Sequence, residues 1–351
     1  METLILTRLF PEEIAEALNL EPYRGRQIFR WLHKKRVFDV ENMTDLSKEL
    51  RNQIAEKCVL VQSQIAHIRE SFLSDTKKIL LKYRDGQFVE CVVITHRNRV
   101  TFCISTQVGC PLGCAFCATG KVGFKRNLNA GEIVEQVLHL LSFVDLGKKN
   151  PNIVYMGMGE PFWNYDEVTR SIKLLMHQLG VNIGARRITV STAGDVKGIM
   201  KFADEDWQVR LSVSLHSADD NLRSRLVPLN RKYPLNKLAE ALHYYQEKTN
   251  RMFTFEYVLL SGVNDSLEDA DALLQYAKQF KCNVNIIPWN PVAGLNFQPP
   301  SKEACEKFQN YLTQGGLNAT MRREHGQDIE AACGQLRRIF LDSTQNCNHH
   351  Q

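Results

Sequence analysis

From Val100 onward the chain alternates short runs of β-branched residues with longer helix-like segments, and this pattern constrains its fold most strongly. The six runs are VTFCIS, NIVYMG, RRITVST, VRLSVSL, MFTFEYVLL and NVNIIPW. Such alternation predicts a parallel sheet with right-handed crossovers, and six units are enough to begin closing into a barrel, although a flat doubly wound sheet has the same local pattern. We therefore predict an α/β protein with a partial (β/α)6 barrel, in which ligand groups follow the carboxyl ends of the strands.

The segment before these repeats has a different pattern. Short helices are predicted over 11–20, 25–35 and 46–57, with little strand signal. Residues 77–95 then alternate around a turn at Asp85-Gly86, which predicts a β-hairpin. The predicted organisation is a small helical N-terminal accessory domain over 1–65, a β-hairpin linker over 66–95, a core domain over 96–340 and a C-terminal tail over 341–351.

The composition is that of an ordinary globular protein. Of 351 residues 44% are hydrophobic and the formal net charge is +5, which excludes disordered and collagen-like chains and permits a polyanionic partner. No apolar run is long enough to cross a bilayer and residues 1–11 lack a signal-peptide pattern, so we expect a cytoplasmic protein with no membrane partner. Ten cysteines in such a compartment are expected to bind metal or do chemistry rather than form a disulfide framework.

Three cysteines are clustered just after the first predicted strand. In QVGCPLGCAFCATG, Cys110, Cys114 and Cys117 are separated by three and then two residues. Iron–sulfur clusters are held by Cys thiolates, whereas zinc usually completes a tetrahedron with a fourth Cys or His at a regular distance. The spacing favours an iron–sulfur cluster, and the alternatives are a zinc site completed by a distant residue or three unrelated cysteines.

Other candidate ligand groups follow the remaining strands. They are Gly159, Glu160, Ser191, Ser214, Leu215, His216 and Asn290. The glycine-rich run MGMGEP lacks both the dinucleotide-binding spacing and a Walker lysine, which argues against those two folds. Taken singly, Ser191 fits a helix cap and His216 a core histidine, but their shared position at strand ends favours a ligand site.

The Cys-x3-Cys-x2-Cys loop resembles that of the radical S-adenosylmethionine (SAM) superfamily. The resemblance implies a 4Fe–4S cluster held by the three cysteines, with SAM bound to its fourth iron and cleaved on one-electron reduction to a 5′-deoxyadenosyl radical. It also implies that Glu160 and the neighbouring backbone meet the SAM ammonium group, and that an electron donor such as flavodoxin is a partner.

A narrower resemblance covers nearly the whole chain. FKRNL, MGMGEP, RRITVSTAG, SLHSADD, VPLNRKYP, IPWNP and DIEAACGQL are similar to the RlmN/Cfr family of radical SAM RNA methyltransferases. One branch methylates adenine C2 in 23S ribosomal RNA and transfer RNA, and the other methylates C8 and confers antibiotic resistance. The forms MGMGEP and IPWNP favour the C2 branch, and a C8 enzyme is the alternative.

The family resemblance assigns roles to three residues. It implies that Cys333 receives a methyl group from one SAM, that a radical from a second SAM abstracts hydrogen from this methyl group, and that Cys103 releases the product by a transient disulfide with Cys333. Glu90 is implied to be the proton acceptor. By pattern alone, the two cysteines fit inert buried residues and Glu90 fits a solvated strand carboxylate. The alternative function outside the enzymes is that of a non-catalytic iron–sulfur RNA-binding protein. Such a protein would need neither Cys333 nor Glu160. We expect the protein to be a monomer.

A basic stripe is predicted on the second helix. Six basic residues without an intervening acid are Arg24, Arg26, Arg30, Lys34, Lys35 and Arg36. On a helix, Arg26, Arg30 and Lys34 share one side. The residues predicted to face the core are Ile28, Trp31 and Leu32. Such a stripe suits phosphates, and a solvated face is the alternative.

Charge reversal tests the stripe. Arg26→Glu combined with Arg30→Glu should weaken RNA binding, with the logarithmic salt slope falling by about 0.7 to 0.9 for each lost phosphate contact. Filter binding over a salt series measures the slope, and SAM cleavage without RNA should be unaffected. An unchanged slope would identify a merely solvated face.

Overall fold

The computed structural model describes residues 4–96, 99–147, 150–322, 326–331 and 334–336. The strands of its main sheet are β1 Ser63–Glu70, β2 Thr76–Tyr83, β3 Phe88–His96, β4 Arg99–Cys103, β5 Asn152–Tyr155, β6 Ile188–Thr192, β7 Arg210–Ser214, β8 Phe253–Leu259, β9 Cys282–Pro288 and β10 Asn318–Met321. The helices are α1 Pro11–Ala17, α2 Pro22–His33, α3 Lys48–Lys57, α4 Ala118–Val122, α5 Ala130–Leu140, α6 Tyr165–Met176, α7 Val196–Ala203, α8 Asp220–Leu226, α9 Leu235–Thr249, α10 Leu267–Ala277 and α11 Lys302–Gln314.

The six predicted strands are β4 to β9, and all of them are confirmed. They pair in parallel in chain order, and a helix follows each one. A seventh parallel strand, β10, pairs with β9 and was not predicted. Only one of its four residues, Ala319, is buried, so the strand lacks the apolar pattern that marks the other six.

The sheet is curved like a barrel rather than flat. Ile94 of β3, Ser191 of β6 and Ile287 of β9 line one cavity. In a flat sheet these strands would lie about 29 Å apart, since each neighbour adds about 4.8 Å. The sheet stays open, because β1 and β10 are its two edges. This agrees with the predicted partial barrel.

The predicted hairpin is confirmed and is joined to the barrel. Strands β2 and β3 are antiparallel, as the sequence indicated. A further strand, β1, pairs with β2, and β3 pairs with β4 over Val92–His96 and Arg99–Cys103. The segment predicted as a linker therefore extends the core sheet by three antiparallel strands.

The N-terminal helices match their predicted positions and faces. Ile28 and Leu32 of α2 are fully buried, whereas Arg26 and Arg30 are exposed. Arg24 is engaged locally, since its guanidinium donates to Gln27 at 2.9 Å. No helix in the described part of the chain is long and apolar enough to cross a membrane.

Glu135 of α5 connects the accessory helices to the barrel. This fully buried carboxylate accepts hydrogen bonds from Thr7 Oγ1 at 2.7 Å, the Gln62 amide at 3.0 Å and Ser63 Oγ at 2.6 Å. Thr7 precedes α1, whereas Gln62 and Ser63 lie at the start of β1. One side chain therefore satisfies polar groups from two separate segments and joins both to α5.

Removing this carboxylate should destabilise the protein. Glu135→Ala leaves the buried Gln62 amide without its acceptor, so the free energy of unfolding should fall by about 2 to 4 kcal/mol. Glu16→Ala, a change at an exposed carboxylate of α1, is the control. Chemical denaturation of both variants measures the difference, and equal stabilities would contradict the connecting role.

Candidate active site

A cavity of about 190 Å³ lies at the carboxyl ends of the barrel strands. Ten of the residues predicted to form the site line it. They are Cys103, Cys110, Cys114, Cys117, Gly159, Glu160, Ser191, Ser214, His216 and Asn290. The parallel strands bring these positions together, although they span nearly two hundred residues of sequence.

The cysteine loop is held in shape by the surrounding barrel. The indole of Trp289 donates to the Phe116 carbonyl at 3.1 Å, and the Ala115 amide donates to the Leu226 carbonyl at 2.9 Å. At Gly109 φ is +78°, and a Cβ there would lie 1.7 Å from the Gly123 carbonyl oxygen. This position therefore requires glycine.

The thiols of the loop lie in a site where negative charge is disfavoured. Burial raises the pKa of Cys110 to about 12 and that of Cys114 well above its usual range. Metal binding deprotonates a coordinating thiol, because the cation supplies the missing charge. The loop is therefore suited to hold a cationic metal centre.

The donor set of this loop is that of an iron–sulfur cluster, which is held by cysteine thiolates. In an iron–sulfur cluster each cysteine binds a different iron, so the thiols lie farther apart than the ligands of a single ion. The three cysteines fit a cluster with one iron left free.

Arg223, a site residue that the sequence did not reveal, lies behind the cavity wall. Its fully buried guanidinium donates to the carbonyls of Ala193 at 2.7 Å and Leu215 at 3.1 Å, and to Asn230 Oδ1 at 2.6 Å. Burial lowers its pKa to about 10, and its charge favours the thiolate of Cys114. In the sequence it resembles the nearby Arg225, because nothing local distinguishes a buried arginine from an exposed one.

Glu160 is buried where β5 leads into α6. Its carboxylate accepts from the Ala193 amide at 2.8 Å and the Phe162 amide at 3.1 Å. Burial raises its pKa to about 7, and these hydrogen bonds oppose the rise. The preceding Gly159 has φ of +107°, and a Cβ there would lie 2.7 Å from Thr106 Oγ1. The carboxylate is thus positioned to accept from a cationic ligand in the cavity.

His216 is neutral and oriented. Its Nδ1 accepts from the Val258 amide at 3.0 Å, and burial lowers its pKa to about 3. The proton of the ring therefore resides on Nε2, leaving a donor at the cavity. Asn290 is also anchored, because its Oδ1 accepts from Gln327 Nε2 at 2.8 Å.

Two predicted residues lie outside the cavity lining. Leu215 has a fully buried side chain, its amide donates to the Glu256 carbonyl at 3.0 Å, and its carbonyl accepts from Arg223. Glu90 lies on β3, where its carboxylate forms an ion pair with Lys78 at 3.1 Å. Leu215 thus supports the wall rather than the cavity surface.

Cys333 lies outside the described residues, but its neighbours in sequence do not. Ala331, Gly334 and Leu336 all line the cavity that contains the three clustered cysteines. The Gly334 carbonyl accepts from the Ala118 amide at 2.7 Å, and the Leu336 carbonyl accepts from Thr119 Oγ1 at 2.7 Å. The residues after position 333 are therefore attached to α4, which directly follows the cysteine loop.

The chain is similar to known proteins over nearly its whole length. The model of the Radical SAM superfamily matches residues 104–275, and that of the Ribosomal RNA large subunit methyltransferase N-terminal domain matches residues 7–60. A "Probable dual-specificity RNA methyltransferase RlmN" from Heliobacterium modesticaldum is 49% identical, with 95% of this chain and 89% of the relative covered. One of the same name from Staphylococcus saprophyticus is 48% identical, covering 90% of this chain and 87% of the relative.

A solved structure has the same fold. The crystal structure of a radical SAM methyltransferase from Sphaerobacter thermophilus matches with a TM-score of 0.92 and 44% sequence identity, covering 95% of this chain and 99% of that one. Radical SAM enzymes use a 4Fe–4S cluster and SAM, and the three thiols with one free iron position fit both.

Iron analysis tests this assignment. Anaerobically reconstituted protein should contain about four irons per chain, because three thiolates and SAM together satisfy a cubane cluster. Cys114→Ala should lose the iron–sulfur absorption, while Cys58→Ala, at a partly buried cysteine outside the cavity lining, should keep it. Tightly bound zinc without iron in the wild type would contradict the assignment.

Proposed function

This chain belongs to the RlmN family of radical SAM RNA methyltransferases, and we propose that it methylates C2 of adenosine in 23S ribosomal RNA and in transfer RNA. The names of the relatives, with their dual specificity for RNA, support this proposal. MGMGEP and IPWNP support the choice of C2 over C8.

One observation supports the mechanism most directly. Residues on both sides of position 333 line the cavity that also contains Cys103 and the cysteine loop. Cys103 lies at the end of β4, only a few residues before Cys110. A methyl carrier at position 333 and a second cysteine for product release would thus share one cavity.

The protein groups around the cavity would bind and orient SAM. When bound, the cluster and SAM supply one-electron cleavage of SAM to a carbon-centred radical, and a first SAM supplies the methyl group carried by Cys333. Glu160 would accept from the SAM ammonium, since its two oxygens are already aligned by backbone amides. Ser191, Ser214, His216 and Asn290 would supply further hydrogen bonds from strand ends. The apolar walls formed by Phe116, Val258 and Ile287 would exclude water.

Cys333 would carry the carbon that is transferred to adenine, and Cys103 would release the product. The methylene radical carried by the Cys333 sulfur would bond to adenine C2, and the adduct would give up one electron, for which the bound iron–sulfur cluster would be the acceptor. The proton of C2 would pass to Glu90, which leaves a closed-shell thioether. The Cys103 thiolate would then attack the Cys333 sulfur, forming the disulfide as the carbon–sulfur bond breaks, and the released carbon would be protonated to a methyl group. An ordinary methyl transfer would not suffice, because adenine C2 is not nucleophilic.

RNA would reach the cavity with the target base unstacked. The exposed Arg26 and Arg30 of α2 offer phosphate contacts, and adenine C2 is inaccessible inside a stacked helix. Mass mapping of modified nucleosides in ribosomal and transfer RNA from a deletion strain tests the position and the substrates. Loss of 2-methyladenosine would support the proposal, whereas loss of the 8-methyl isomer would identify the other branch.

Single substitutions separate the two cysteines. Cys333→Ala should retain the cluster and SAM binding yet transfer no methyl group to RNA, because the radical finds no methyl thioether. Cys103→Ala should form methyl-Cys333 and add it to adenine, and then stall. The stalled species should be a protein joined to RNA through Cys333, detectable by mass spectrometry as a nuclease-resistant adduct on the peptide 330–337.

A matched control is Cys282→Ala, which removes a buried thiol from β9 that does not line the cavity. It should turn over like the wild type. Normal methylated RNA from Cys333→Ala would refute the carrier role.

A further inference from the structure

Lys78 is a buried cation that the chemistry described above does not use. Its side chain is only 3% exposed, on the central strand of the antiparallel part of the sheet. The ammonium lies 3.1 Å from Glu90 Oε1 and also donates to the backbone carbonyl of Glu330 at 3.1 Å. It therefore joins a candidate proton acceptor to the segment that leads to Cys333.

The strand register places the relevant groups on one face of the sheet. Lys78 of β2 is opposite Val92 of β3, which is in turn opposite Cys103 of β4. Directly opposed residues share a face, and so do residues two apart on one strand. Lys78, Glu90 and Cys103 consequently project on the same side, and Cys103 lines the cavity.

The segment before Cys333 is held against the β1–β2 connection. Asp328 accepts from Ser71 Oγ at 2.7 Å and from the Phe72 amide at 3.0 Å. The Gly326 amide donates to Ser74 Oγ at 3.1 Å. These contacts hold the segment at its outer end, whereas Lys78 contacts it three residues before Cys333.

An ion pair in such a place is not explained by stability alone. Burying two charges is expensive, and a well-packed apolar pair of similar volume is often as stable. Burial lowers the pKa of Lys78, and the Glu90 carboxylate opposes this effect. The charges are therefore more readily explained by a role for an ionised Glu90.

We propose that Lys78 is a positioning residue that keeps the Glu90 carboxylate ionised and in register with the segment carrying Cys333. The inference rests on the proposed function, in which the proton leaving adenine C2 passes to Glu90. In this role Lys78 does not transfer a proton. Its ammonium charge stabilises the ionised Glu90 carboxylate until that carboxylate accepts the proton from adenine.

Other charged or titratable groups surround the pair. The Glu330 side chain and Arg69 of β1 both act on Lys78, the first raising and the second lowering its pKa. The Cys91 thiol, next to Glu90 on β3, has its pKa raised by burial, by Cys103 and by Glu90. The Lys78 ammonium lies 3.1 Å from the Glu90 carboxylate, so its loss should change the protonation of Glu90.

The test uses Lys78→Met, Glu90→Gln, the double variant, and Lys77→Met as a control. Lys77 is the next residue on β2 and pairs with Glu70 at the surface. Single-turnover formation of methylated RNA is measured for enzyme already carrying methyl-Cys333, at pH 6.5 and at pH 8.5. Iron content and methyl-Cys333 content are measured in parallel.

In Lys78→Met a larger fraction of the buried Glu90 should be protonated, because its carboxylate loses the ammonium that lies 3.1 Å away. A base works only when deprotonated, so product formation at pH 6.5 should fall by about 100-fold or more. At pH 8.5 it should recover by at least about tenfold, as Glu90 loses its proton. Glu90→Gln and the double variant should stay slow at both pH values, while Lys77→Met should match the wild type.

A loss in Lys78→Met that is the same at both pH values would overturn the proposal, as would wild-type rates in that variant. If Lys78→Met does not fold, the double variant decides, since it buries neither charge. Rates equal to those of Glu90→Gln support action through Glu90, and much lower rates overturn it. If the wild type itself forms no methylated RNA, the proposed function fails instead, and the two failures remain distinct.

Discussion

The parallel, in-order pairing of β4 to β9 is the constraint on which the rest of the structure depends. Because each strand pairs with the next along the chain, all six carboxyl ends meet at one edge. The cysteine loop after β4, Glu160 after β5 and Asn290 after β9 reach one cavity for this reason. Curvature of the sheet then brings this row of strand ends around one cavity, which a flat sheet of the same strand order would not provide.

Dehydration controls the electrostatics of that site. Burial disfavours charge on the thiols of the cysteine loop and on Glu160, and it keeps His216 neutral. Arg223 compensates in part. Its buried guanidinium is held by backbone carbonyls, and its positive charge partly offsets the rise in the pKa of the Cys114 thiol that burial causes. A site of this kind stabilises a positively charged metal centre and a cationic ligand better than it stabilises its own ionised side chains, and exclusion of water also suits radical chemistry.

The antiparallel strands have a part in the site as well. Ser71 and Lys78 contact the segment 326–331 on one side of position 333, while Ala118 and Thr119 contact residues 334–336 on the other. Because β1 to β3 continue the barrel sheet, Ser71 and Lys78 are held where they contact the segment 326–331.

Local sequence patterns determined the helices and the six principal strands, because hydrophobic period and turn residues act over a few neighbours. Cysteine spacing likewise predicted an iron–sulfur cluster, and the shared motifs predicted the family. The curvature, the edge strand β10, and the partners of Glu90 and Arg223 were decided only by the tertiary structure. Lys78 contacts Glu330 across 252 positions, and Arg223 contacts Ala193 across 30. No local period encodes such a contact, because it exists only when the sheet brings both segments together and removes water from between them.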